Sequence, residues 1–273
     1  MTTVAELTPG DVRALGSRMM ASLELNGSPV GVRLVPTGSG LPADVPRLRH
    51  HRYCQAVMLA RRGGVVVLDG AGLACPAASR VFGFKPLPAQ LESGKGLVGF
   101  GIVARPEVGA RMFERMPRLD AGSLAGLHLF PLDRSPAVPD VVLVEDEIEK
   151  LMWITLAYMH ATEGERVTAS TAVLQAVCAD ATVVPFREQR LNLTYGCYGC
   201  REATDIARNE TLVGFPVSFL ARIVTHLEYL GRQAIPTSRS KRALRALTDR
   251  EPAEAAGAAQ TPGEPAAAAP VDG

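Results

Sequence analysis

The sequence predicts an α/β (α+β) fold built from two similar strand–helix halves. Three observations lead there. Apolar residues at helical spacing alternate with short β-branched runs along most of the chain. Gly or Pro marks many of the changes of period. The order of elements and cysteines in the first half also recurs in the second.

Taken in order, residues 11–25 carry apolar side chains on one helical face and stop at Asn26-Gly27, a helix-ending pair. Residues 30–35 read as a strand, 51–62 as a helix and 65–68 as a β-branched strand. Pro76 suits the first turn of a helix running to Val81, which puts Cys75 at or near its N-cap. A strand is expected at 97–103 and a helix at 107–116. The second half supplies a strand at 141–144, an amphipathic helix at 146–161 and a helix at 169–180. Strands at 190–194 and 212–215 and a closing helix at 217–230 complete it. From about Thr248 the chain is Ala, Pro, Gly and Glu, too poor in large apolar groups to offset the entropy of ordering, so a disordered tail is expected. The basic run Ser238-Arg239-Ser240-Lys241-Arg242 before it reads as a solvated terminus. This divides the chain into an N-terminal helix (1–27), a first half (28–135), a second half with a CxxC loop (136–235) and a basic, then Ala/Pro-rich tail (236–273).

The halves match in detail. Leu97-Val98-Gly99-Phe100 has a counterpart in Leu212-Val213-Gly214-Phe215, 115 residues on, and Val30 has one in Val141, 111 residues on. Cys54 precedes Cys75 by 21, and Cys178 precedes Cys197 and Cys200 by 19 and 22. An internal duplication would pack the halves about a pseudo-twofold axis. Each would then deliver a helix cysteine and a loop cysteine to the interface.

The 273 residues are 47% hydrophobic but only 5% aromatic, so the core is aliphatic. A net charge of +1 gives no electrostatic reason to expect nucleic acid or an anionic membrane as partner. Residues 1–9 are polar and mixed rather than a secretory leader, and no apolar run reaches the roughly 18 residues of a spanning helix. Five cysteines, an odd number, do not make a disulfide framework. They point to a reducing cytoplasm, where clustered thiols bind metal or do chemistry.

The chemistry concentrates in Tyr195-Gly196-Cys197-Tyr198-Gly199-Cys200-Arg201. Two residues between thiols let both sulfurs reach one metal or each other, and flanking glycines let the backbone wrap around the pair. Three readings compete. Cys54, Cys75, Cys197 and Cys200, with Cys178 as a substitute for Cys54, could hold an iron–sulfur cluster. Zinc is the alternative, less favoured because structural zinc ribbons carry two CxxC knuckles. Cys197 and Cys200 could instead be a metal-free redox dithiol, with Arg201 favouring a thiolate. Thirdly, the cysteines could be structural, in a module that binds a small molecule. A chain of the first kind would serve redox or small-ligand chemistry, with a small molecule or an electron carrier as partner. Whether it is an enzyme stays open.

The chain resembles the uncharacterised ArCR family, also called the domain of unknown function 169 family. The resemblance rests on Pro29-Val30-Gly31-Val32-Arg33, Tyr53-Cys54, Leu73-Ala74-Cys75-Pro76, Cys178-Ala179-Asp180, and the stretch from Gly196 to Asp205. It covers roughly residues 23–230 and implies a cytosolic prokaryotic protein with its site at these cysteines, but no activity. Two cations are weaker candidates for holding an anionic substrate: Arg33, in an otherwise apolar strand, and Arg201. His50 and His51 precede Cys54 without a metal-binding spacing, and Ser93-Gly94-Lys95-Gly96 is too short for a phosphate loop.

Overall fold

The structure is a computed structural model that describes residues 7–248; the Ala/Pro-rich tail expected beyond Thr248 lies outside them. The chain divides into two units, Met1–Tyr229 and Leu230–Gly273.

Helix α1 (Pro9–Leu23) opens with a reciprocal cap: the Thr8 side chain accepts from the Asp11 amide, and the Asp11 carboxylate accepts from the Thr8 amide. It ends where Glu24 takes a left-handed conformation. There follow β1 (Val30–Pro36), α2 (Tyr53–Arg61), β2 (Val66–Leu68) and α3 (Pro76–Val81). Three short helices, α4 (Ala89–Glu92), α5 (Lys95–Gly99) and α6 (Pro106–Glu114), pack on one another before β3 (Leu124–Pro131). The chain continues through β4 (Val141–Glu147) into α7 (Ile148–Ala161). A π-helix (Ala176–Val183) then runs into α8 (Val184–Glu188). The unit is completed by β5 (Asn192–Thr194), α9 (Tyr198–Ala203), β6 (Glu210–Pro216) and most of α10 (Leu220–Arg232). In the second unit, α11 (Ala234–Arg239) and α12 (Arg242–Thr248) carry the basic run. Among the described residues no helix is long and apolar enough to cross a membrane.

The six strands form one antiparallel sheet in the order β2-β3-β1-β4-β6-β5, so the fold is α+β. Counted outward from the central β1–β4 pair, each side reads first, third, second strand of its half. Val141, Val142, Leu143 and Val144 are all buried because both faces of the sheet are covered, which accounts for an unbroken apolar run. Val30, Val32 and Leu34 share one face with Leu127, Leu129 and Leu143, in the core cluster that holds Cys54, Cys178, Cys197 and Cys200. Arg33 and His128, directly opposed across β1 and β3, alternate onto the other face.

Three expectations are corrected. Residues 97–103 do not form a strand: Leu97 and its neighbours lie in α5, entered at Gly94 with φ +75°, and only Leu97 is buried there. Leu212-Val213-Gly214-Phe215 lies in β6 and is buried throughout, so the two four-residue matches are not equivalent. On the side of β1 away from β4 lies β3, in which Gly126 and His128 break up any β-branched run. Residues 169–175 are not helical, because Val173 and Gln175 take positive φ and the π-helix begins only at Ala176.

Candidate functional site

Four segments distant in sequence bring all five cysteines to the lining of one cavity of about 420 Å³. Cys54 lies in the first turn of α2. The loop before α3 is tied to that turn, since His51 donates to the Gly72 carbonyl and Ala74 donates to that of His51. This keeps Cys75, the residue capping α3, on the same side. Cys197 caps α9, its sulfur accepting from the Cys200 amide at 3.2 Å, after a turn in which Gly196 has φ +79°.

Helices α2 and α9 are fastened along their length. Arg52 donates to the Gly199 carbonyl at 2.9 Å and faces Glu202 at 3.6 Å; Gln55 donates to the Ala203 carbonyl. Beyond them Arg62 pairs with Asp205, and the half-buried Arg61 bridges Glu145 of β4 at 3.1 Å and Glu210 of β6 at 2.6 Å. Burial pushes the Glu145 carboxyl up to about 7, with Glu210 adding to the rise and Arg61 opposing it.

The π-helix brings Cys178. Tyr53 of α2 bonds its hydroxyl to Thr182 at 2.9 Å, and Asn192 of β5 donates to the Asp180 carbonyl. The Asp180 carboxylate accepts from Thr171 and Thr194; burial still pushes it up to about 6. Gly214 of β6 lets the π-helix backbone approach closely, since a methyl there would collide with the Ala181 carbonyl.

Cys197 and Cys200 have sulfurs 2.7 Å apart. Cys54, Cys178, Cys197 and Cys200 are buried and Cys75 is half-buried. The hydrogen bond to Cys200 and burial push the Cys197 thiol up. Cys200 is also raised: its bond with Cys197 lowers it, but interaction with Cys54 and burial outweigh that. Burial raises Cys178, and the neighbouring thiols of Cys75, Cys200 and Cys197 raise it further. Against these, the backbone amides of Ala176 and Val177 favour the thiolates of Cys197 and Cys200. Among the described residues no group of three or more His, Cys, Asp or Glu side chains is arranged to hold a metal ion.

The other sequence candidates lie elsewhere. Arg33 is across the sheet, lining a surface hollow with Asp140. Arg201 donates to the carbonyls of Tyr195, Ala207 and Glu210, so it organises the loop around α9. His51 bonds through its ring to the Arg49 carbonyl, and neither it nor His50 lines the cavity. The sequence reading missed the backbone amides of Ala176 and Val177, at the start of the π-helix, which lower the Cys197 and Cys200 thiols against the other influences on them. It also missed Arg52, whose signal was its place one residue before a helix start.

A family model described as uncharacterised ArCR matches residues 18–226. The chain belongs to that family. The ArCR match takes in the whole sheet and every cysteine. No curated protein and no solved structure matches the chain.

Proposed function

We propose that the cavity is a centre for a soft metal, in the first place an iron–sulfur cluster, serving redox or small-ligand chemistry in the cytoplasm. Cys54, Cys75, Cys197 and Cys200 are its ligands and Cys178 the substitute for Cys54; zinc is the alternative occupant. The observation that carries this reading is the convergence of five thiols from four remote segments on one cavity. Thiolates are the donors that soft metals and clusters select, and amides directed at sulfur are a means of tuning such sites. A fit requires the thiols to rearrange, since among the described residues no three of them are arranged around one ion. Two sulfurs on one tetrahedral ion with bonds of about 2.3 Å stand about 3.8 Å apart, farther than Cys197 and Cys200 do. When bound, a cluster supplies one-electron chemistry or an open iron site. The chain's own part is to supply thiolates and exclude water from them.

The arrangement of the halves supports a duplication as the origin of the site. β1 and β4 each run seven residues, β2 and β5 three, and Cys75 and Cys197 each cap a six-residue helix that follows the short strand. On this reading the repeats supply one helix cysteine each, Cys54 and Cys178, and one capping cysteine each.

The separation of 2.7 Å favours a second reading, a metal-free dithiol in which Cys197 and Cys200 cycle with a disulfide. Anaerobic purification followed by visible absorption and iron, zinc and sulfide assays decides between them. A brown protein with stoichiometric iron and sulfide supports the cluster, and one zinc per chain supports the alternative metal. A colourless, metal-free chain whose Cys197→Ser variant loses reversible oxidation supports the dithiol and ends the metal reading.

A further inference from the structure

The thiols form only part of the cavity wall. Much of the rest is aliphatic and aromatic: Leu91, Leu97, Ile102 and Phe113 from the α4–α6 segment, and Leu174 from the loop before the π-helix. Its charged lining residues are Arg52 and Glu202, with side chains 42% and 62% exposed, so both sit at the rim. They face each other at 3.6 Å, and Arg52 also serves the Gly199 carbonyl. An anion entering the cavity finds no unpaired cation, and a hydrated ion would leave its water facing hydrocarbon. Two large exposed aromatic residues also line the cavity, Phe100 at 67% and Tyr198 at 61% exposure, one following α5 and one beginning α9. Exposed aromatics scattered singly call for no explanation, but two at one cavity give it an apolar entrance. The volume lies within the range of roughly 300–1,000 Å³ typical of small-molecule sites.

We propose that this cavity binds a neutral, apolar small molecule against its thiol wall, admitted past Phe100 and Tyr198. The inference deepens the reading of the same site as a ligand-handling centre, yet its test does not depend on metal. Reduced, metal-free full chain is titrated with 1-aminoanthracene, a neutral fluorophore, and separately with 9-anthracenecarboxylate, an anion of similar size. The neutral probe is expected to saturate at one site and bind about tenfold or more tightly than the anion. Phe100→Glu, which places a carboxylate at the entrance on an exposed residue, is expected to weaken the neutral probe by about tenfold with unchanged circular dichroism and Tm. Equal or tighter binding of the carboxylate, no saturable binding of the neutral probe, or indifference to Phe100→Glu overturns the proposal. A colourless, metal-free protein that still prefers the neutral probe would sink the metal reading alone. An iron-loaded protein whose metal-free form ignores the probe would sink this one alone.

Discussion

Gly214→Ala and Gly99→Ala make the same change in two copies of the same four-residue sequence, and the structure predicts opposite outcomes. At Gly99, in α5, an added methyl meets nothing within 4 Å. Replacing a helical glycine there should be neutral or stabilise by up to about 1 kcal/mol. At Gly214, in the middle of β6, the methyl would overlap the Ala181 carbonyl oxygen and lie 2.7 Å from its carbon. Neither group can rotate away, because one is strand backbone and the other π-helix backbone. Relief therefore requires the π-helix to shift off the sheet, an overpacking cost of about 1–3 kcal/mol. For a domain of this size that corresponds to a fall in Tm of roughly 2–12 °C. The sign is decisive, because glycine inside a strand is itself about 0.5–1 kcal/mol worse than alanine, so without the collision Gly214→Ala would stabilise. Differential scanning calorimetry gives Tm, and the rate of thiol labelling by a disulfide reagent gives a second readout. Displacement of the π-helix should speed labelling of Cys178, three residues before Ala181. A Gly214→Ala chain with unchanged or higher Tm and unaltered labelling would refute the close packing from which the site is built.

Three further outcomes follow from the same contacts. Arg201→Lys cannot reproduce a fork that serves three backbone carbonyls, so it should lower unfolding free energy by about 1–3 kcal/mol in urea titration. It should leave the affinity for the neutral probe unchanged, because Arg201 does not line the cavity. Glu145 has a folded-state pKa raised from 4.5 to about 7, so below 4.5 both states hold its proton and it contributes no pH dependence. Between 4.5 and about 7 the folded state holds more proton, so stability falls as pH rises through that window. The difference between wild type and Glu145→Gln, from urea unfolding at a series of pH values, should trace that fall and level off above it. Arg52→Ala removes the bond to the Gly199 carbonyl that fastens α2 to α9. A loss of about 1 kcal/mol and faster labelling of Cys54 and Cys200 are expected; unchanged labelling would show that the helices are held by packing alone.

Local chemistry made several features legible without coordinates. Pro76 after Cys75 announces a helix start, and Cys75 caps that helix as the sequence implied. The apolar run of β4 and the amphipathic period of α7 were visible because burial of a strand or of one helix face imposes a repeat on the sequence. The CxxC loop stood out because two thiols spaced to share one partner, between glycines that free the backbone, form a pattern read within one short segment. The fate of 97–103 was not legible: four apolar residues suit a helix in a small cap as well as a strand in a sheet, and their neighbours in space decide.

What the sequence determined by itself was which atoms are available: five soft sulfur donors, an aliphatic core and the stops between elements. Only the tertiary structure decided that Arg33 faces away from the thiols and that Arg201 is occupied by carbonyls. The same structure brought Cys54 beside Cys200, 146 positions later in the chain. The reason is that strand alternation and helix contact are set by register between segments far apart in sequence, and a register is a property of the pair, never of either segment alone.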